Sequence, residues 1–158
     1  GLGSATWPAR MQRLTTGPLA KLATACGADL WLDGGHNPHA MAAVARALAE
    51  YRNEDGRPIV VVLGLLANKD AKGVFASLRS MLPFRLILIG FEADAANDPA
   101  ILAKSAREAG LKAEIAHDVS AALAVALAKE GPAPHVLICG SLYLAGEVLA
   151  MNPESWPR

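Results

Sequence analysis

The sequence lacks a net charge and has few aromatic residues. Lysine and arginine together number 15, and so do aspartate and glutamate. Because no excess of positive charge draws the chain towards nucleic acid or an anionic membrane surface, we expect neither as a partner. Aromatic residues make up only 5% of the chain, whereas all hydrophobic residues make up 53%. This composition excludes a disordered chain and favours a globular domain packed from small aliphatic side chains.

The sequence also has few cysteines and lacks the apolar segments of a signal peptide or a membrane span. Cys26 and Cys139 are far apart and have no C-x-x-C spacing. This pattern predicts two buried free thiols and neither a disulfide nor a cysteine-based metal site. No segment has the charged start and apolar centre of a signal peptide, and no apolar run has the length of a membrane span. We therefore expect a cytoplasmic protein.

The usual phosphate-binding signatures are missing as well. There is no G-x-x-x-x-G-K-[ST] loop, and residues 1–3 (GLG) lack the third glycine and the preceding strand of a dinucleotide fingerprint. No pair of carboxylates is obviously placed to hold magnesium, so we predict no metal ligands in this chain. A reaction on a nucleotide would have to use groups from outside these residues.

What the sequence does contain is a regular alternation of short apolar runs and segments of helical period. The apolar runs that predict buried parallel strands are residues 30–32, 59–63, 86–89 and 135–139, with a half-polar run at 112–116 nearer a sheet edge. The residues placed to cap the helices are Asn37, Asp70, Asp98, Asp118 or Ser120, and Ser141. The pattern predicts an α/β fold, a Rossmann-like open and mostly parallel sheet with helices on both faces.

The ends of the chain are less regular. Residues 1–6 resemble the remnant of a linker, and residues 152–158 an irregular tail, which leaves one domain over residues 7–151. Residues 10–14 alternate weakly, residues 15–18 form a turn cluster, and residues 19–25 are apolar. We interpret these segments as a short N-terminal antiparallel hairpin.

Residues 33–38 (DGGHNP) mark a sharp corner between a strand and a helix. The two glycines permit a tight turn, and the free N–H groups of the helix that follows favour an anion. Asp33 and His36 add a carboxylate and an imidazole to this corner. Asp33 could equally cap the turn, while the double glycine favours ligand contact for His36 over a solvated surface position.

Two further loops should lie at the same edge of the sheet, because the carboxyl ends of parallel strands meet there. They are residues 64–70 (GLLANKD) and 140–143 (GSLY). We therefore predict that Asp33, His36, Lys69 and Ser141 share one rim. Taken singly, Lys69 could be a solvated loop lysine and Ser141 only a helix cap.

Four stretches together resemble one protein family. They are residues 7–12 (WPARMQ), 32–38 (LDGGHNP), 64–70 (GLLANKD) and 140–144 (GSLYL). In this order they resemble the C-terminal glutamate ligase domain of the dihydrofolate synthase/folylpolyglutamate synthases, which belong to the Mur ligase superfamily. Two departures are visible: the family usually has glycine where Ala9 stands and alanine where Gly34 or Gly35 stands.

The resemblance implies a reaction in which ATP phosphorylates a carboxylate of dihydropteroate or a folate, and the amine of L-glutamate then attacks the acyl phosphate. It implies that the phosphate loop, the Mg²⁺ ligands and most of the pterin site belong to an N-terminal ATPase domain absent from these residues. Without that partner domain, the chain is expected to fold but to be inactive.

The resemblance also implies residue roles. Arg10 and Asp33 would bind the nucleotide. His36 and Ser141 would be the catalytic residues that position the glutamate, and Lys69 is a weaker candidate for binding its carboxylate. Two alternatives are a peptidoglycan precursor ligase of the same superfamily and a freestanding doubly wound binding module.

Overall fold

The computed structural model describes residues 10–128 and 130–152. The strands are β1 (Gln12–Leu14), β2 (Asp29–Asp33), β3 (Ile59–Leu63), β4 (Arg85–Ile89), β5 (Glu114–Ala116) and β6 (His135–Cys139). The helices are α1 (Pro18–Ala25), α2 (Pro38–Asp55), α3 (Ala71–Arg79), α4 (Pro99–Glu108), α5 (Val119–Leu127) and α6 (Leu142–Met151). Within the described ranges, none of these helices combines the length and the apolar character that crossing a membrane requires.

The strands form one sheet in the order β1-β2-β6-β3-β4-β5. All neighbouring pairs from β2 to β5 are parallel, and only β1 runs antiparallel to its neighbour β2. The last strand in sequence, β6, therefore lies between β2 and β3. The predicted α/β fold is confirmed, and the loops that follow β2, β6 and β3 leave the sheet side by side.

The core has two layers, one on each face of the sheet. Alternate residues of β3 point to opposite faces: Ile59, Val61 and Leu63 belong to one buried cluster, and Val60 and Val62 to the other. Helices α2, α3 and α4 cover the first face, and α1, α5 and α6 cover the second. Both faces of the central strands are buried, which explains why these strands are continuous apolar runs in the sequence.

The prediction of an N-terminal hairpin was wrong for its second strand. Residues 19–25 lie in helix α1, and β1 pairs with β2, Gln12 opposite Leu32. Pro18 occupies the first turn of α1, and Leu19, Ala20 and Ala23 are buried against the sheet at helical spacing. The apolar run thus buries one helical face, although antiparallel pairing at the N-terminus is confirmed.

The two cysteines differ in exposure. Cys139, at the end of β6, is buried, whereas Cys26 is exposed, so the prediction of a buried thiol was wrong for Cys26. Cys26 is the C-cap of α1 and lies beyond the last buried turn of that helix. Burial and the nearby Asp33 carboxylate raise the pKa of the Cys139 thiol.

The end of α6 is tied to the start of α1. Asn152, the first residue of the predicted tail, is fully buried, and its side chain accepts a hydrogen bond from the Leu19 N–H at 3.1 Å and donates one to the Thr16 carbonyl at 2.6 Å. The predicted linker, residues 1–6, and the rest of the tail, residues 153–158, lie outside the described residues.

Candidate functional site

The predicted corner forms at the carboxyl end of β2. Strand β2 ends at Asp33, and α2 begins at Pro38 after the cap Asn37. The Asn37 side chain accepts a hydrogen bond from the Ala40 N–H at 2.8 Å, which satisfies one of the free donors of the first helical turn. The remaining N–H groups of this turn give the corner a partial positive charge.

Asp33 holds this corner together. The residue is only 7% exposed, and its carboxylate accepts two backbone hydrogen bonds, from the Gly35 N–H at 2.7 Å and from the Met11 N–H at 2.9 Å. The first bond closes the turn, as the capping alternative predicted, and the second fixes the segment that carries Arg10. Asp33 therefore aligns the corner and the N-terminal segment with one another.

A cavity of about 730 Å³ opens beside this corner. Its walls include Arg10, Asp33 and His36, together with residues from the first turns of α2 and the exposed Leu142 at the start of α6. An arginine, two histidines (His36 and His39) and a helix N-terminus thus line one space. This combination is suited to binding an anion such as a phosphate or a carboxylate.

One ring nitrogen of His36 lacks a hydrogen-bond partner. Its Nδ1 atom is shielded from solvent and has no hydrogen-bond partner among the described residues. A shielded polar atom without a partner costs free energy, and native structures contain few such atoms.

Ser141 lies at the same edge but outside the walls of the cavity. It is 2% exposed and caps α6, where its Oγ atom accepts a hydrogen bond from the Tyr143 N–H at 3.1 Å. Its hydroxyl hydrogen is not used by that bond and can still be donated. The residue of this loop that lines the cavity is its neighbour Leu142, and not Ser141.

Lys69 also lies outside the cavity walls. It is half-buried in the loop after β3, immediately before Asp70, which caps α3 by accepting a hydrogen bond from the Gly73 N–H at 2.9 Å. The loop is tied to the loop after β4, because the Ala67 N–H donates to the Ala95 carbonyl at 2.7 Å. The structure thus brings Arg10, Asp33 and His36 together and leaves Lys69 and Ser141 on adjoining loops.

Two glycines make close approaches that sequence reasoning missed. Gly140 has a φ of 111°, and a Cβ atom on it would overlap the Gly64 carbonyl. A Cβ atom on Gly35 would lie 2.8 Å from both Asp33 Oδ1 and Met41 Cε. Both glycines belong to the motifs, but the contacts of Gly140 with Gly64 and of Gly35 with Met41 join separate parts of the fold.

A second cavity, of about 560 Å³, lies at the carboxyl ends of β4 and β5, and the sequence did not point to it. Four carboxylates line it: Glu92, Asp98, Asp118 and Glu147. Burial and the charges of Glu92 and Asp118 raise the pKa of Glu147, although the Glu92 N–H bond to its carboxylate opposes the shift. Among the described residues, no three histidine, cysteine or acidic side chains are placed to hold a metal ion.

The matches to known proteins agree with the family named from the motifs. The profile of the family described as "Mur ligase, glutamate ligase domain" matches residues 10–142. The chain belongs to this family. The matched range runs from Arg10 to Leu142, and both residues line the first cavity.

Three similar proteins are named for folate enzymes. The chain is 33% identical over 150 residues to a probable bifunctional folylpolyglutamate synthase/dihydropteroate synthase of Haloferax volcanii. It is 25% identical, with a TM-score of 0.74, to the folylpolyglutamate synthase of Mycobacterium tuberculosis solved with ADP and AMPPCP. It is also 25% identical, with a TM-score of 0.71, to the bifunctional folylpolyglutamate synthase/dihydrofolate synthase of Yersinia pestis solved with AMPPNP and a manganese ion.

These proteins are much longer than this chain. The alignments cover 93% of the chain but 16% of the Haloferax protein, and 94% of the chain but 33% and 32% of the two solved structures. The chain therefore corresponds to one domain of each relative.

Proposed function

We propose that the chain is the glutamate ligase domain of a longer ATP-dependent ligase, which joins L-glutamate to dihydropteroate or a folate through an acyl phosphate. The observation that carries the proposal is the cavity shared by Arg10, Asp33 and His36 at the N-terminus of α2, in a chain of the Mur ligase family. The solved relatives hold nucleotides, and one of them holds a divalent metal ion as well, which supports ATP and a metal as participants.

In this proposal, Arg10 and Asp33 bind the nucleotide. The Arg10 guanidinium would bind phosphate oxygens and stabilise the negative charge that develops during phosphoryl transfer. Asp33 would contact the nucleotide through its carboxylate. The two backbone hydrogen bonds that this carboxylate accepts would hold the segment after Arg10 beside the corner.

In the same proposal, His36 and Ser141 bind and position the incoming glutamate. The imidazole of His36 in the cavity wall would bind the glutamate or accept a proton as its amine attacks the acyl phosphate. The Ser141 hydroxyl would donate its free hydrogen bond to the glutamate, and Lys69 would attract its carboxylate from the adjoining loop. Correct placement of the amine supplies much of the rate in such a reaction.

The remaining groups would come from the rest of the longer chain. A Mg²⁺ ion would neutralise phosphate charge, and we propose that its ligands lie in an N-terminal ATPase domain together with the phosphate loop and the pterin site. Location in the cytoplasm is part of the same proposal.

The test uses the full-length protein with ATP, L-glutamate and either dihydropteroate or a peptidoglycan precursor, and it measures ADP release and the mass of the product. We expect glutamate addition to the pteroate or folate substrate only. Turnover with the peptidoglycan precursor alone would refute the proposed substrate class.

Variants then test the division of roles. We expect His36→Ala and Ser141→Ala to raise the KM for glutamate more than the KM for ATP, and Arg10→Ala to do the opposite. A loss confined to ATP affinity in the His36 and Ser141 variants would contradict the assignment.

A further inference from the structure

Helix α3 packs directly on the first residue of α2. The Ser77 hydroxyl donates a hydrogen bond to the Pro38 carbonyl at 2.9 Å, a side-chain contact between two helices that are far apart in sequence. Gly73, one turn earlier on α3, faces the ring of the same proline. A Cβ atom on Gly73 would lie 2.6 Å from Pro38 Cγ, closer than real Cβ atoms come to their neighbours.

Gly73 also takes part in the cap of α3. Its N–H donates to Asp70 Oδ1 at 2.9 Å, and an added Cβ would overlap the other oxygen of that carboxylate. The φ of Gly73 is not in the left-handed region, so alanine would fit its backbone conformation and would favour the helix. Because Gly73 has no Cβ atom, the capping residue Asp70 of α3 and Pro38 of α2 can both pack against it.

His36 lies two residues before Pro38, on the same corner. Its Nδ1 has no hydrogen-bond partner among the described residues, so no hydrogen bond to that atom holds the ring. The place of the imidazole therefore depends on the backbone of the corner that carries it. Asp33 fixes the corner on the strand side through the Gly35 N–H, and Ser77 fixes it on the helix side through the Pro38 carbonyl.

We propose that Gly73 and Ser77 are positioning residues for the glutamate step, because they hold the first turn of α2 and with it the imidazole of His36. The same contact keeps the loop that ends in Lys69 and Asp70 beside the corner. This proposal rests on the proposed function for the role of His36, but the packing that it describes does not.

The test uses the full-length protein and four variants: Ser77→Ala, Ser77→Thr, Gly73→Ala and Ser80→Ala. Ser80 is the matched control, since it is exposed and its hydroxyl donates at 2.9 Å to the Ser77 carbonyl of its own chain segment rather than to α2. We expect Ser77→Ala to raise the KM for glutamate about two- to tenfold, the range expected for one lost hydrogen bond, without changing the KM for ATP.

The other variants separate positioning from stability. Ser77→Thr keeps the hydroxyl and should restore the KM for glutamate, and Ser80→Ala should leave it unchanged. Gly73→Ala should raise it more than Ser77→Ala does, because the clash displaces Pro38. Equal changes in both KM values, a change in Tm alone, or no difference between Ser77→Ala and Ser77→Thr would overturn the proposal.

A spectroscopic readout keeps this test independent of the reaction. The ring signals of His36 in the NMR spectrum, assigned by their loss in His36→Gln, should shift in Ser77→Ala and not in Ser80→Ala, while those of the exposed His117 stay in place in both. If the wild-type protein shows no glutamate-dependent turnover, the proposed function fails and these signals still test the positioning. Unchanged His36 signals in both Ser77→Ala and Gly73→Ala would refute it.

Discussion

At the scale of single residues, Asp33 shows how one carboxylate can both build a site and belong to it. It faces the cavity, yet both of its oxygens accept backbone hydrogen bonds. The sequence left two alternatives open for Asp33, a turn cap and a ligand contact. The structure shows the hydrogen bonds of the turn cap, and the ligand contact stays a prediction.

The cost of removing this carboxylate can be measured. Asp33→Ala leaves the N–H groups of Gly35 and Met11 without their acceptors, so we expect the free energy of unfolding to fall by about 1–3 kcal/mol. Urea denaturation checks this, with Asp94→Ala at an exposed position as the control. Equal stability of the two variants would show that water replaces both hydrogen bonds.

At the scale of elements, the end of α2 is joined to the starts of β2 and β6 by a charged cluster at the opposite edge of the sheet. The buried His135 lies with its Nε2 atom 2.8 Å from Asp55 Oδ2. Arg57 contacts Asp29 through Nη1 at 2.9 Å, and its backbone N–H donates to Asp55 Oδ1 at 2.9 Å. The cluster ties together three elements whose other ends form the site.

This cluster predicts a loss of stability in acid. Desolvation by burial raises the pKa of Asp55. Hydrogen bonds from the Arg57 N–H and from His135, together with the charges of these two residues, lower it by more. The pKa of Asp55 is therefore lowered from its ordinary value of 3.8. A lowered pKa in the folded state means that the stabilisation is present above the ordinary carboxylate pKa and is lost as the pH falls through the folded value.

We therefore expect Asp55→Asn to be less stable than the wild type at neutral pH and the gap to close below about pH 4. The measurement is the free energy of unfolding against pH for both proteins. A constant gap down to low pH would argue against ionised Asp55 as the source.

The loops at the carboxyl edge are joined by a close backbone contact as well. Gly140, just before Ser141, has a left-handed backbone and lies against the Gly64 carbonyl. We expect Gly140→Ala to lower the free energy of unfolding by about 1–3 kcal/mol, because it adds backbone strain and an overlap. Gly146→Ala, in α6 where a Cβ meets open space, is the matched control and should be neutral or stabilising. Thermal unfolding of both variants distinguishes the two cases.

The sequence predicted those elements whose local signals agree with their tertiary surroundings. The apolar runs of β3 and β6 are buried on both faces, and Asn37, Asp70, Asp98, Asp118 and Ser141 all cap helices as their positions indicated. Helix α1 was missed, because a short apolar segment of eight residues fits a strand or a helix equally well without its neighbours. Strand periodicity could place Lys69 and Ser141 at the right edge, but only the packing of side chains shows that they lie outside the cavity walls.

At the scale of the whole molecule, the described residues combine a packed core with a site that we propose is completed by the rest of a longer chain. Apolar side chains fill both faces of the sheet, so the fold does not need further residues to bury them. The cavity, in contrast, is lined by one arginine, two histidines (His36 and His39) and the N-terminus of α2. The relatives with bound nucleotides are about three times as long as the matched region.

We therefore expect the 158-residue chain to fold alone and to have no ligase activity. Cooperative thermal unfolding and dispersed NMR signals would establish the fold, and ADP release with ATP, glutamate and a pteroate substrate would measure the activity. Calorimetric titration of the chain with ATP should give much weaker binding than titration of the full-length protein, because the phosphate loop and metal ligands are expected outside this domain. Full-length protein assayed at the same concentration is the control. Turnover of the 158-residue chain at a rate near that of the control would mean that the cavity beside Asp33 and His36 is a complete active site, and the proposed division between two domains would be wrong.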